Sequence, residues 1–119
     1  MKRHTCNYPI SLDREIEAEG KYYYVAVEAT IDFDGYAEPV ENSIEIEYAL
    51  VSFGEGENMA VIDQTNAGDR VRVPNPVLER AIDDALWESA RRYAEDHHGE
   101  ICLDVAEDYE MARAEWFRE

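Results

Sequence analysis

The chain has 119 residues, 45% of them apolar, and a formal net charge of −17 at pH 7. A chain of this length can bury a sizeable core, so residues 1–119 are predicted to form a single acidic domain. The negative charge disfavours direct binding to nucleic acid or to anionic lipid and favours a basic partner.

The acidic residues are concentrated in the middle of the chain. Residues 22–69 contain no Lys or Arg, whereas they contain eleven Asp and Glu residues. A stretch with charges of one sign predicts a surface that attracts basic proteins.

The two cysteines, Cys6 and Cys102, are too few for a disulfide framework. No apolar run reaches the length of a signal-peptide core or of a membrane span. We therefore expect two free thiols and a location in the cytoplasm.

The first predicted strand lies between residues 10 and 19. The side chains predicted to point inward are mostly apolar: Ile10, Leu12, Arg14, Ile16 and Ala18. Its outward side chains are Ser11, Asp13, Glu15, Glu17 and Glu19. This alternation predicts a strand with one acidic face, followed by a turn at residues 20–21.

Two more strands and two short additional ones are predicted before residue 74. Residues 22–31 are rich in Tyr, Val and Ile, which favour strands, and Gly35 and Pro39 mark a turn. Residues 43–53 alternate again. One side of this third strand carries Ile44, Ile46, Tyr48 and Leu50, and the other carries Glu45 and Glu47. Residues 59–62 and 70–73 are candidates for a fourth and a fifth strand.

The second half of the chain is predicted to be helical. Asn75 is a good N-cap, Pro76 suits the first helical position, and Gly99 is a candidate stop. The face predicted to pack on the sheet comprises Leu78, Ala81, Ile82, Ala85, Leu86, Ser89 and Tyr93. Residues 101–103 could form a short strand. A terminal helix is predicted from the spacing of Val105, Tyr109, Ala112 and Trp116.

These elements predict an α+β fold. An antiparallel sheet of three to five strands in the first half packs against one long helix, and a shorter C-terminal helix follows.

No motif predicts catalysis, a cofactor or a metal site. A calcium loop of the EF-hand type starting at Asp32 would require Glu where Ser43 stands, so a hairpin turn is preferred. His97, His98 and Cys102, with His4 and Cys6 as further ligands, suggest zinc, but adjacent histidines on a helix point about 100° apart. A helix C-terminus explains two histidines through its dipole.

The acidic strand faces give the stronger signal for function. Asp13, Glu15, Glu17 and Glu19 would form one ladder of carboxylates about 6.6 Å apart, and Glu45 with Glu47 a second on a nearby strand. Both ladders are predicted to contact a basic partner, and a purely solubilising role is the alternative.

Trp87 is the other candidate contact residue, because it falls on the polar side of the predicted long helix. It is either a contact anchor or is covered by the C-terminal segment, for example by Met111 or Phe117.

The run Tyr8-Pro-Ile-Ser-Leu-Asp-Arg-Glu-Ile-Glu-Ala-Glu, followed by Tyr22-Tyr-Tyr, resembles the start of small acidic accessory proteins of tailed bacteriophages and prophages. The resemblance covers about 60 residues. It implies a phage-encoded protein of the host cytoplasm that inhibits a defence system, as anti-CRISPR proteins do, in some cases by imitating DNA. It assigns no functional residue.

The leading hypothesis is therefore a non-enzymatic protein that binds a basic, nucleic-acid-binding protein or complex. A homodimer is compatible with this hypothesis. The alternatives are a structural or assembly protein that is acidic only for solubility, and a small enzyme or metal protein.

Overall fold

The structure is a computed structural model that describes residues 4–53, 57–58, 60–65 and 68–116. Strands β1 (Thr5–Ala18) and β2 (Lys21–Asp34) form a long antiparallel hairpin, paired from Thr5 with Asp34 to Ala18 with Lys21. The connecting residues Glu19 and Gly20 both have positive φ, 52° and 77°, as a type I′ turn requires. The turn predicted at residues 20–21 is thus one residue too late, and Glu19 belongs to the turn.

Strand β3 (Glu45–Phe53) pairs antiparallel with β2, and the short β4 (Glu57–Asn58) pairs with β3. Glu28 pairs with Tyr48, but the next residue, Ala29, pairs with Ile46, so Glu47 is an extra residue in β3. This bulge changes which residues point inward. The prediction that Tyr48 and Leu50 share the side of Ile46 is therefore wrong. Tyr48 pairs with Glu28 and is 50% exposed, Leu50 pairs with Ala26, and the fully buried residue is Val51.

Strands β5 (Val61–Thr65) and β6 (Gly68–Arg72) pair with each other as a second, two-stranded sheet. The two extra strands predicted near these positions exist, but they do not extend the main sheet. Gly68 has a φ of 92°, and a Cβ there would lie 3.0 Å from the carbonyl oxygen of Asn42. Glycine is therefore required where this hairpin approaches the loop between β2 and β3.

Helix α1 (Pro76–Asp96) starts as predicted, because the Asn75 side chain accepts hydrogen bonds from the N–H groups of Val77 and Leu78. Its buried stripe comprises Leu78, Ile82, Ala85, Leu86, Ala90 and Ala94. Near its end, the Tyr93 ring packs against the rings of Tyr8 and Phe33. The predicted packing of this helix on the inner side of the sheet is confirmed.

Helix α2 (His98–Trp116) begins almost directly after α1 and is the slightly shorter of the two. Gly99 lies within its first turn, so the predicted stop at Gly99 is wrong, and residues 101–103 are helical rather than extended. Ile101 and Val105 are buried, whereas Tyr109 is 51% exposed. The side chains of Ala112 and Trp116 lie outside the described set.

The α+β class and the antiparallel main sheet are therefore confirmed. The core lies between the inner side of the sheet and the two helices. No helix among the described residues is both long and apolar enough to cross a membrane.

Candidate partner-binding surface

The outer face is defined here as the side chains of β1, β2 and β3 that point away from the buried core. Asp13, Glu15 and Glu17 lie on it and are exposed. Alternation along the paired strands places Arg14 and Lys21 on the opposite side. Within β1 to β3, which are fully described, the outer face therefore carries no Lys or Arg.

The carboxylates of the outer face do not face one another across the strands. Glu15 is opposite Tyr24, Glu17 is opposite Tyr22, and Asp13 is opposite Ala26. Like charges in directly opposite positions would destabilise the sheet. This register therefore places many negative charges on one surface while separating them by neutral side chains.

Three exposed tyrosines lie on the outer face, and Tyr22 among them lies beside the β1–β2 turn. Tyr22, Tyr24 and Tyr48 are 64%, 41% and 50% exposed. The Tyr24 hydroxyl donates a hydrogen bond to Asp13, and this bond is the main reason that the pKa of Tyr24 is raised. Tyrosine combines a large apolar ring with a polar tip and is enriched at protein interfaces. Our sequence analysis missed these residues as site candidates, although the alternation within the Tyr22-Tyr-Tyr run predicts that its first and third rings point outward.

The other predicted acidic residues are more dispersed than expected. Glu45 lies on the outer face opposite Thr30, which in turn pairs with Pro9, towards the far end of β1 from Glu17. Strand spacings place Glu45 about 16 Å from Asp13 along the sheet. The acidic residues of β1 and those of β3 therefore form separate patches. Glu19 lies in the turn beyond Glu17 and is not part of the strand.

Glu47, the extra residue of the bulge, lines a groove of about 540 Å³. Arg92 and Asp96 of α1 line the same groove, together with Glu28. Glu47 therefore shares its surroundings with a cation, unlike Glu15 and Glu17.

Trp87 does not belong to the outer face. It is half-buried on α1 and packs against the core. It lines a cavity of about 190 Å³ with Asn42, Ile44 and Gly68. It also lines a groove of about 900 Å³ with Pro39 and Arg91. The C-terminal cover proposed from the sequence is not seen at Met111, which is 68% exposed, and Phe117 lies outside the described residues.

Several carboxylates of residues 22–69 serve the fold. Asp34, 2% exposed, accepts hydrogen bonds from the N–H groups of Tyr36 and Glu38 and so holds the turn after β2. This confirms the turn that was preferred over a calcium loop. Asp69 accepts from the N–H of Ile46 at 2.9 Å. Asp63 forms ion pairs with Arg70 and Arg72.

One carboxyl group of α1 is held in an unfavourable environment. Asp83 is partly buried, and burial, followed by the charge of Glu79, raises its pKa to about 6. Arg70 acts in the opposite direction. A shifted carboxyl in a cleft is a candidate acid or base. The other described residues that line this cavity are Asn42, Ile44, Gly68, Asp69, Arg70, Leu86 and Trp87. They include no Ser, Thr, Cys or Lys that could act as a nucleophile, and the one further carboxylate, Asp69, already accepts a hydrogen bond from the N–H of Ile46.

A mixed cluster of possible metal ligands joins the two ends of the chain. His4, Cys6 and Asp108 offer ligand atoms that all lie within 4.8 Å of one another. His4 and Cys6 were named in the sequence only as further ligands, and the residues named first lie elsewhere. His97 pairs with Glu100, and His98 is 3.9 Å from the Cys102 sulfur. Burial and the charges of Asp108 and Asp104 raise the pKa of the Cys6 thiol, which disfavours a role as a nucleophile.

No protein-family model matches the chain, and no curated protein or solved structure is significantly similar to it.

Proposed function

We propose that this chain is a non-enzymatic, phage-encoded binding protein whose outer face engages a basic, nucleic-acid-binding protein of a host defence system. The observation that carries the proposal is the outer face, where Asp13, Glu15 and Glu17 stand in a row without a cation on the same side of β1 to β3. The resemblance to small acidic phage proteins supports the biological setting.

The charge density of this surface is of the right order for imitating nucleic acid. Alternate residues of a strand are about 6.6 Å apart, whereas one DNA strand carries a charge about every 3.4 Å. The β1 ladder thus has about half the linear charge density of a DNA strand. A groove that binds phosphates with Lys and Arg would attract it, with an affinity that falls as salt increases.

The tyrosines of the outer face would supply the apolar contact that charge alone lacks. Rim charges mainly accelerate association, whereas buried aromatic side chains slow dissociation. Tyr22, Tyr24 and Tyr48 take the anchor role for which Trp87 was the candidate, because Trp87 is partly covered.

A role as an assembly protein that is acidic only for solubility is the competing function. It is favoured by the carboxylates that serve the fold, such as Asp34 and Asp69. The two functions differ in what partner binding depends on. Binding through the outer face depends on where the negative charges lie, whereas a solubilising role depends only on the total charge.

The test compares two double charge reversals. Glu15→Lys with Glu17→Lys changes the outer face, and Glu107→Lys with Glu110→Lys changes exposed positions of α2 by the same net charge. A pull-down from nuclease-treated host lysate identifies the partner, and the association kinetics of each variant are then measured with the purified partner at several salt concentrations. We expect the outer-face variant to associate roughly tenfold more slowly at low salt and with a shallower salt dependence.

Competition with duplex DNA provides the second readout. DNA should displace the wild-type chain if both occupy the same basic groove. Equal weakening by both double reversals would support the solubility function, and unchanged association in the outer-face variant would refute the proposed surface.

A further inference from the structure

We propose that His4, Cys6 and Asp108 form a zinc-binding site that joins the start of β1 to α2. This inference does not depend on the proposed function, because it concerns a different surface and needs no partner.

The local geometry explains why these three residues meet. His4 and Cys6 are two residues apart in extended chain, so their side chains point to the same side. Asp108 lies on α2, which packs against this end of β1, and its Oδ2 is 2.5 Å from His4 Nε2. The sequence separation of 104 residues between His4 and Asp108 hides the cluster from any local motif.

The donor set fits zinc. Imidazole nitrogen, thiolate sulfur and carboxylate oxygen are the three ligand types that zinc takes from proteins, usually in a tetrahedron. Bonds of about 2.0–2.3 Å place tetrahedral ligand atoms about 3.2–3.8 Å apart. The present separations reach at most 4.8 Å, so small side-chain rotations would suffice.

The surroundings favour a dication and orient the ligands. Asp104 lies one turn before Asp108 on α2, and its carboxylate accepts a hydrogen bond of 3.0 Å from the Tyr8 hydroxyl. The His4 ring packs edge-on against Tyr109, with ring centres 5.6 Å apart. Partners that orient metal ligands in this way contribute to affinity. Water would take the fourth coordination position.

A metal in this position would cross-link the two ends of the fold. It would bind the folded chain and not the unfolded one, in which its ligands are about a hundred residues apart, and so it would raise thermal stability. At a free zinc concentration about 100 times Kd, Tm should rise by roughly 10 °C.

The experiment uses the full chain after chelator treatment. Zinc stoichiometry is measured by mass spectrometry under native conditions, and cobalt is added as a spectroscopic substitute. We expect one metal ion per chain, the visible absorption of tetrahedral cobalt, and a thiolate-to-cobalt band in the near ultraviolet.

The variants identify the ligands. Cys6→Ser should remove the thiolate band, and Asp108→Asn should weaken zinc binding at least about tenfold. The Asp108 side chain is 57% exposed, so this variant should fold even if Cys6→Ser does not. Cys102→Ser and His98→Gln are the matched controls and should bind as the wild type does.

Three outcomes would overturn the proposal. They are the absence of stoichiometric binding, binding that survives both Cys6→Ser and Asp108→Asn, and binding that excess magnesium displaces. The last outcome would show that exposed carboxylates alone hold the ion.

Discussion

Glu15 and Glu17 on the outer face are exposed to solvent. Asp34, the last residue of β2, is buried and accepts hydrogen bonds from two N–H groups of the loop that follows. The sequence presents all three as members of one acidic population. The difference teaches that charge composition describes a total, while the hydrogen-bond partners decide which carboxylates remain available to another molecule. The outer face and the acidic residues between β2 and β6 should therefore respond differently to the same substitution.

The largest expected effect is at Asp34. Asp34→Ala would leave the N–H groups of Tyr36 and Glu38 without their acceptor in a partly buried loop, which should lower the free energy of unfolding by about 3 kcal/mol. Denaturant unfolding measures the change. Glu17→Ala is the control on the outer face and should change stability by less than about 0.5 kcal/mol. Similar losses in the two variants would contradict the distinction drawn here.

A smaller effect of opposite sign is expected at Asp83. Burial raises its folded pKa to about 6, above the value near 3.9 of an unfolded chain. The folded state therefore binds this proton more tightly, and the carboxyl lowers stability above pH 6 but not below about pH 4. Asp83→Asn should raise the free energy of unfolding at pH 7.5 by about 1 kcal/mol, after allowance for solvent screening.

Thermal unfolding at pH 7.5 and at pH 4 tests this reasoning. The gain should disappear at the lower pH. The neighbouring exposed carboxyl provides the control, since Asp84→Asn should leave Tm almost unchanged at either pH. A gain at Asp83 that persisted at pH 4 would mean that the side-chain charge is not the cause.

The hairpin turn should show a modest gain. Glu19 has a φ of 52°, which Asn adopts more readily than Glu. Glu19→Asn should raise stability by about 0.7 kcal/mol. Glu19→Gln removes the same charge without the conformational preference, so an equal gain in that variant would assign the effect to repulsion instead.

The smallest effect concerns repulsion across the outer face. Screening should raise Tm between low salt and about 0.5 M, where the screening length falls to a few Å. Because Glu15 and Glu17 face tyrosines and not other acids, Glu15→Gln with Glu17→Gln should reduce this rise only slightly. A flat salt response in the wild type would show that its carboxylates do not repel one another measurably.

The candidate surface could be only half predicted from the sequence. Alternation in β1 correctly places Asp13, Glu15 and Glu17 on one exposed face. It fails for Glu47, because a bulge depends on how two strands fit together and leaves no clear local signal. It also fails for Glu19, because the last strand pair is Ala18 with Lys21 and the turn therefore comprises Glu19 and Gly20.

Local patterns by themselves determined much of this protein. The strand alternation, the Asn75 cap and the helical stripe from Leu78 to Leu86 set the α+β class, because these features depend on contacts between residues close in the chain. Only the tertiary structure decided that the β5–β6 hairpin stays separate from the main sheet, that Asp34 is buried, and that His4 meets Asp108. These choices follow from how the whole core packs, and many arrangements of similar local quality compete until that packing selects one.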